Sequence, residues 1–85
     1  MPLSQRDRAI LDLERSWWTS PGSKEEAIRR RLGLSPARYY RLLAALIDDS
    51  SAAAYDPLVV RRLRRTRERR RRARFEGGVA AERRR

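Results

Sequence analysis

Apolar residues recur at helical spacing through most of the chain. Leu3, Ile10, Leu13 and Trp17 are separated by seven, three and four residues, which makes one apolar stripe. The spacing predicts a first helix from about Ser4 to Trp18, with Ser4 as N-cap and Asp7 three residues on. Thr19-Ser20-Pro21-Gly22 breaks it, since Pro21 lacks a donor and Gly22 tolerates positive φ. Ser23-Lys24-Glu25-Glu26 is a capping box that opens a second helix, whose short apolar face is Ala27, Ile28 and Leu32. Gly33 stands where that helix needs a left-handed C-cap. Ser35-Pro36 starts a third helix, running to about Asp48. Tyr39, Leu42, Leu43, Leu46 and Ile47 form its inner stripe; Ala37, Arg38, Tyr40, Arg41 and Ala44 look outward.

The C-terminal part reads differently. Ser50, Ser51 and Ala52 to Ala54 read as a linker, although alanines suit a helix equally. Asp56-Pro57 is a second N-cap and N1 pair, and Leu58, Val59, Val60 and Leu63 give a fourth helix an apolar start that can dock on the rest. From Arg61 to Arg74, ten of fourteen residues are Arg. Like charges three and four apart oppose a helix, so this stretch is expected to fray when free. Gly77-Gly78 is expected to end it, with Arg83 to Arg85 disordered.

Charge sharpens this division. The 85 residues carry a net +11. Residues 1–56 hold nine basic and eight acidic side chains, whereas residues 57–85 hold thirteen Arg against three Glu, a net of +10. The expected organisation is a helical domain over 1–56 and an Arg-rich C-terminal helix or arm over 57–85, partly disordered beyond about 75. A polyanion is the expected partner. Of the 22 basic residues only Lys24 is Lys. Arg makes forked bonds to phosphate and stacks on bases, but a GC-rich genome also enriches Arg. With no Cys and no His, zinc fingers, disulfides, thiol nucleophiles and His-based catalysis are excluded. No catalytic or metal-binding carboxylate cluster is visible, so neither an enzyme nor a cofactor is expected. No apolar run reaches the length of a membrane span, and an apolar anchor face is missing after Leu63, so no membrane partner is expected.

Ile28, Leu32, Gly33, Leu34, Tyr39 and Leu42 have the spacing that two helices crossing steeply through a three-residue turn require. This resembles the helix-turn-helix of DNA-binding proteins over roughly residues 24–45. The position after Ile28 is normally small in that motif, yet it is Arg29. Either Ala27 takes the role through a shifted register, or the crossing is looser. In that reading the third helix enters the major groove, exposing Ser35, Ala37, Arg38, Tyr40 and Arg41. Arg38 and Arg41 suit guanine, and Ser35 with the helix amides suits phosphate. Tyr40 suits a phosphate or a thymine methyl. Arg61, Arg62, Arg64, Arg65, Arg67, Arg69, Arg70, Arg71, Arg72 and Arg74 would follow the backbone. Solvation of a helix face is the competing explanation for Arg38 and Arg41. Tyr39 and Trp17 read as core. Trp18, about 100° around the helix from Trp17, is left to cover the arm, stack on Arg or meet a base.

A family resemblance accompanies these residues. Glu14-Arg15-Ser16-Trp17-Trp18, Gly22 to Ile28, Leu34 to Tyr40, Leu46-Ile47-Asp48 and Asp56 to Leu63 together resemble a group of small actinobacterial proteins catalogued as a domain of unknown function. The likeness spans about residues 5–67. It implies a bacterial cytoplasmic protein with a helix-turn-helix-like body and implies no activity.

The sequence therefore points to an all-α fold: a three-helix helix-turn-helix-like domain followed by a basic helix or arm. The expected role is non-enzymatic double-stranded DNA binding, as a transcriptional regulator or nucleoid-associated protein. An RNA- or ribosome-binding protein, and an adaptor docking on RNA polymerase or a sigma factor, are the alternatives. A homodimer is left open.

Overall fold

The computed structural model describes residues 3–83, with side chains described as far as Phe75. These residues form five helices and a short 3-10 turn: α1 (Gln5–Ser16), the turn (Trp17–Thr19), α2 (Lys24–Leu32), α3 (Pro36–Ile47), α4 (Ser50–Tyr55) and α5 (Pro57–Arg83). No strand occurs among the described residues. The fold is all-helical.

Three N-caps fall where the sequence places them. The hydroxyls of Ser4, Ser23 and Ser35 accept from the amides of Asp7, Glu26 and Arg38 at 3.1, 3.2 and 3.2 Å. Gly33 closes α2 in the left-handed region, at φ 66°. Gly22 also has positive φ, 88°, and a Cβ there would sit about 2.5 Å from a Glu26 carboxylate oxygen. The positive φ is what favours glycine at that bend, since the exposed Glu26 carboxylate can swing aside.

The first helix is shorter than expected. It ends at Ser16, and Trp17–Thr19 tighten into the 3-10 turn. Local side chains take over the carbonyls there. Ser16 Oγ donates to the Asp12 carbonyl at 3.0 Å, Thr19 Oγ1 to the Ser16 carbonyl at 2.6 Å, and Trp18 Nε1 to the Arg15 carbonyl at 3.1 Å.

The Ser50–Ala54 stretch is not a linker but helix α4. Asp49 caps it by accepting from the Ser51 amide at 2.8 Å, and Ala52 is fully buried. Alanine's high helix propensity, with a place to bury, outweighs the serines. Asp56 then serves as a corner. Its amide closes α4 on the Ala52 carbonyl, and its carboxylate accepts from the Val59 amide at 3.2 Å to open α5.

Two expectations about the tail are corrected. The Arg run is one continuous helix with its neighbours, and Gly77-Gly78 does not end it, since α5 extends to Arg83. The helix is nucleated by the Asp56-Pro57 start and by docking of its first turns, and Arg is itself a good helix former. Two glycines cost about 1 kcal/mol each without forbidding helical dihedrals. Arg84 and Arg85, also expected to be disordered, lie outside the described residues.

The core joins Ile10, Leu11, Leu13, Ala27, Ile28, Tyr39, Leu43, Leu46, Ala52, Val59 and Val60, all buried. Helix α1 lies at its centre, packing on α2, α3, α4 and α5. Central position explains why Leu11 and Glu14, off the predicted stripe, are also buried. Ala27 is 1% exposed while Arg29 faces solvent, so Ala27 is the small residue at the α2 contact. Leu34 packs against the core from the α2–α3 turn.

Candidate nucleic-acid interface

The ten arginines between Arg61 and Arg74 divide by position. Val59, Val60 and Leu63 dock the first turns of α5 on the core. Three arginines beside them then bond to the ends of other helices. Arg62 Nη2 donates to the Glu14 carbonyl near the end of α1 at 2.6 Å. Arg64 Nε donates to the Ile47 carbonyl at the end of α3 at 3.0 Å. Both Nη atoms of Arg67 grip the Asp48 carboxylate at 3.0 Å. Cations at helix C-termini complement the helix dipole and satisfy carbonyls left without intrahelical partners. The hydrogen bond from Arg67 holds the Asp48 carboxyl below its ordinary value of 3.8. The remaining Arg67 donor, Nε, is buried without an acceptor.

Arg61, Arg65, Arg70, Arg71, Arg72 and Arg74 make no hydrogen bond or ion pair among the described residues, and Arg69 reaches only the Thr66 hydroxyl, at 3.5 Å. The face that is apolar at Val59, Val60 and Leu63 becomes basic one turn later, at Arg67, Arg70, Arg71 and Arg74. These side chains form one wall of a cleft of about 950 Å³. Tyr40, Leu43, Ala44 and Ile47 of α3 form a second wall, and Trp17, Trp18 and Lys24 a third.

A buried polar network supports the aromatic walls. The Glu14 carboxylate accepts a short hydrogen bond from the Tyr39 hydroxyl and pairs with Lys24 Nζ at 2.7 Å. Lys24 Nζ lies 5.6, 5.7 and 5.2 Å from the ring centres of Trp17, Tyr39 and Tyr40. Tyr40 also meets Tyr39 edge to face at 5.2 Å between ring centres. Burial, then the bond to Glu14, raises the Tyr39 hydroxyl well above its ordinary value of 10.0.

On α3, Ser35, Ala37, Arg38, Tyr40 and Arg41 are all exposed. They do not act alike. The Ser35 hydroxyl is engaged as the helix cap. Tyr40 is fixed in the cleft wall. Arg38 and Arg41 make no hydrogen bond or ion pair. Neither Arg38 nor Arg41 is among the residues that line the cleft.

Sequence reasoning missed Glu14 and Lys24. Glu14 sits one residue past the apolar stripe, and nothing local marks it as buried. The signal for Lys24 was its solitude among 21 arginines. A compact ammonium fits between one carboxylate and three rings, where a planar guanidinium requires more width.

A family described as "Protein of unknown function (DUF3263)" matches residues 2–75. The chain belongs to this DUF3263 family. The match reaches past the sequence-level likeness, which stopped near Arg67, and takes in the basic cleft wall through Arg74. DUF3263 membership thus covers every described helix except the last turns of α5. No curated protein and no solved structure matches the chain. Among the described residues no helix is long and apolar enough to cross a membrane.

Proposed function

We propose that this protein binds double-stranded DNA without catalysing a reaction, as a regulator or nucleoid-associated protein of the bacterial cytoplasm. Helix α2, the Gly33 turn and α3 act as a helix-turn-helix. Arg38 and Arg41, with Ala37 between them and the cap, read the major groove. The free arginines of α5 follow the phosphates and supply most of the affinity.

The observation that carries this reading is the surplus of cations beyond what the fold uses. Arg62, Arg64 and Arg67 hold the structure together, while among the described residues the seven other arginines between Arg61 and Arg74, with Arg38 and Arg41, make no ion pair. Such a surplus of guanidinium groups on a small domain attracts a polyanion and releases counterions on binding. The left-handed Gly33 and the buried Ala27 support a close α2–α3 crossing.

The test is duplex binding at several salt concentrations. Arg38→Ala is expected to weaken preferred sites by about 1–3 kcal/mol and relax their sequence choice. Removing residues 68–85 is expected to weaken all duplexes and flatten the salt dependence. A truncated chain that binds duplexes as tightly as the full chain at physiological salt overturns the assignment of the arm.

A further inference from the structure

Trp18 and Tyr40 are 66% and 42% exposed, yet neither ring is free to turn away. Trp18 is tethered through Nε1 to the Arg15 carbonyl. Tyr40 is held by the Tyr39 ring and the Lys24 ammonium. Both rings line the same cleft, opposite a row of arginines. Across the cleft stand Arg70, Arg71 and Arg74, which make no hydrogen bond or ion pair among the described residues. The Lys24 charge is already matched by Glu14. On the opposite wall Arg67 is paired with Asp48, so the cations left open to a ligand in the cleft are Arg70, Arg71 and Arg74.

Fixed aromatic faces beside free guanidinium groups are what a single-stranded nucleic acid needs: rings on which unpaired bases stack, and cations along its phosphates. A duplex has no base face to offer Trp18 or Tyr40, because its bases are already stacked on each other. An acidic peptide would satisfy the arginines but leave the rings without a planar partner. We propose that this cleft binds unpaired bases of single-stranded nucleic acid, with Trp18 and Tyr40 as the stacking platform and Arg70, Arg71 and Arg74 on the backbone. The inference rests on the reading that the partner is nucleic acid, and adds a second site to the duplex-reading face of α3.

The test uses the full chain and three labelled probes: oligothymidylate of about 12 nucleotides, within the span one small domain covers, a duplex of equal length, and poly-glutamate. Oligothymidylate is expected to quench the tryptophan fluorescence of the wild type. Trp18→Ala is expected to raise its Kd for oligothymidylate about tenfold, and to change the duplex Kd less than about twofold. Trp18→Phe, which keeps a stacking face but gives up the Nε1 tether to the Arg15 carbonyl, is expected to recover part of the single-strand affinity that Trp18→Ala loses. Circular dichroism of both variants checks that the 3-10 turn survives. An unchanged single-strand Kd in Trp18→Ala, an equal loss for the duplex, or poly-glutamate binding as tightly as oligothymidylate overturns the proposal. In the first case intact duplex binding leaves the DNA-binding reading standing. Failure of both nucleic acids to bind at physiological salt removes both.

Discussion

Two stretches of one helix, residues 57–67 and 68–75 of α5, hold five Arg each and differ in physics. In the first, Val59, Val60 and Leu63 are packed, and Arg62, Arg64 and Arg67 bond to the last carbonyls and flanking carboxylate of α1 and α3. In the second no side chain is buried, and among the described residues no arginine is hydrogen-bonded or ion-paired to a carboxylate, Arg71 acting on Asp48 only through its charge. The guanidinium is the same group in both. Proximity to a helix C-terminus makes it a structural cap; its absence leaves a free cation. A count of charges therefore overstates the binding surface, and the position of each Arg along the docked helix decides its role.

Truncation breaks this comparison with the largest effect. Deleting residues 57–85 removes two buried valines and three carbonyl or carboxylate partners. Each buried valine alone contributes about 1.5–3 kcal/mol. The expected total rivals the whole stability of a small domain, so the cooperative thermal transition should vanish. Deleting only 68–85 should leave that transition within a few degrees of the full chain and reduce duplex affinity. A folded 1–56 fragment would show that the head stands alone.

Glu14 is the next step. Its carboxylate, 3% exposed, serves Tyr39 and Lys24 together, and its own carbonyl receives Arg62. Glu14→Ala leaves a mostly covered ammonium and a buried phenol unpaired, at a cost of about 3–5 kcal/mol. Tyr39→Phe removes one bond and should cost about 1–3 kcal/mol. Denaturant titration of both variants measures the difference. Near-wild-type stability of Glu14→Ala would mean that the network contributes little to the fold.

The same residue shows where sequence reading stops. Caps at Ser4, Ser23, Ser35 and Asp56, the Gly33 turn and the inner stripe of α3 were legible because each is a local signal within four residues. The burial of Leu11 and Glu14 was not, because it depends on α1 being surrounded by four helices. Periodicity describes a helix with one buried face and fails for one at the centre. Helix α4 was obscured by its serines, and decided by the place that the core offers Ala52. At the candidate site, the exposure of Arg38 and Arg41 was legible from helical phase. The cleft was not, since it needs α5 folded back beside Tyr40. The split among the arginines was equally hidden, because Arg64 and Arg70 look alike until the end of α3 is placed beside one of them.

Arg62→Gln and Arg70→Gln set the comparison on single side chains. Loss of the Arg62 bond to the Glu14 carbonyl should cost about 1 kcal/mol. Arg70→Gln should stay within about 0.5 kcal/mol of wild type and instead reduce the salt slope of nucleic-acid binding by about one ion. Melting curves paired with binding at graded salt should show opposite rankings for the two variants. If both lose stability equally, the boundary between docked and free arginines lies further along the helix.

The smallest effect tests the last docked arginine. Asp48 is held below its ordinary pKa of 3.8, first by its hydrogen bond from Arg67 and then by charges that include Arg64 and Arg71. A depressed carboxyl pKa means that the unfolded chain takes up its proton first as pH falls. The stabilisation is therefore complete above about pH 4 and declines as pH drops below 3.8 toward the folded value. Asp48→Asn should flatten the acid limb of a stability profile and lower stability slightly at neutral pH. Added salt should narrow the gap between variant and wild type, because the carboxylate is open to solvent. Arg70→Gln should leave the acid limb unchanged, since Arg70 touches no carboxylate. An acid limb that moves with Arg70 but not with Asp48 would place the end of the docked segment a full turn later than Arg67.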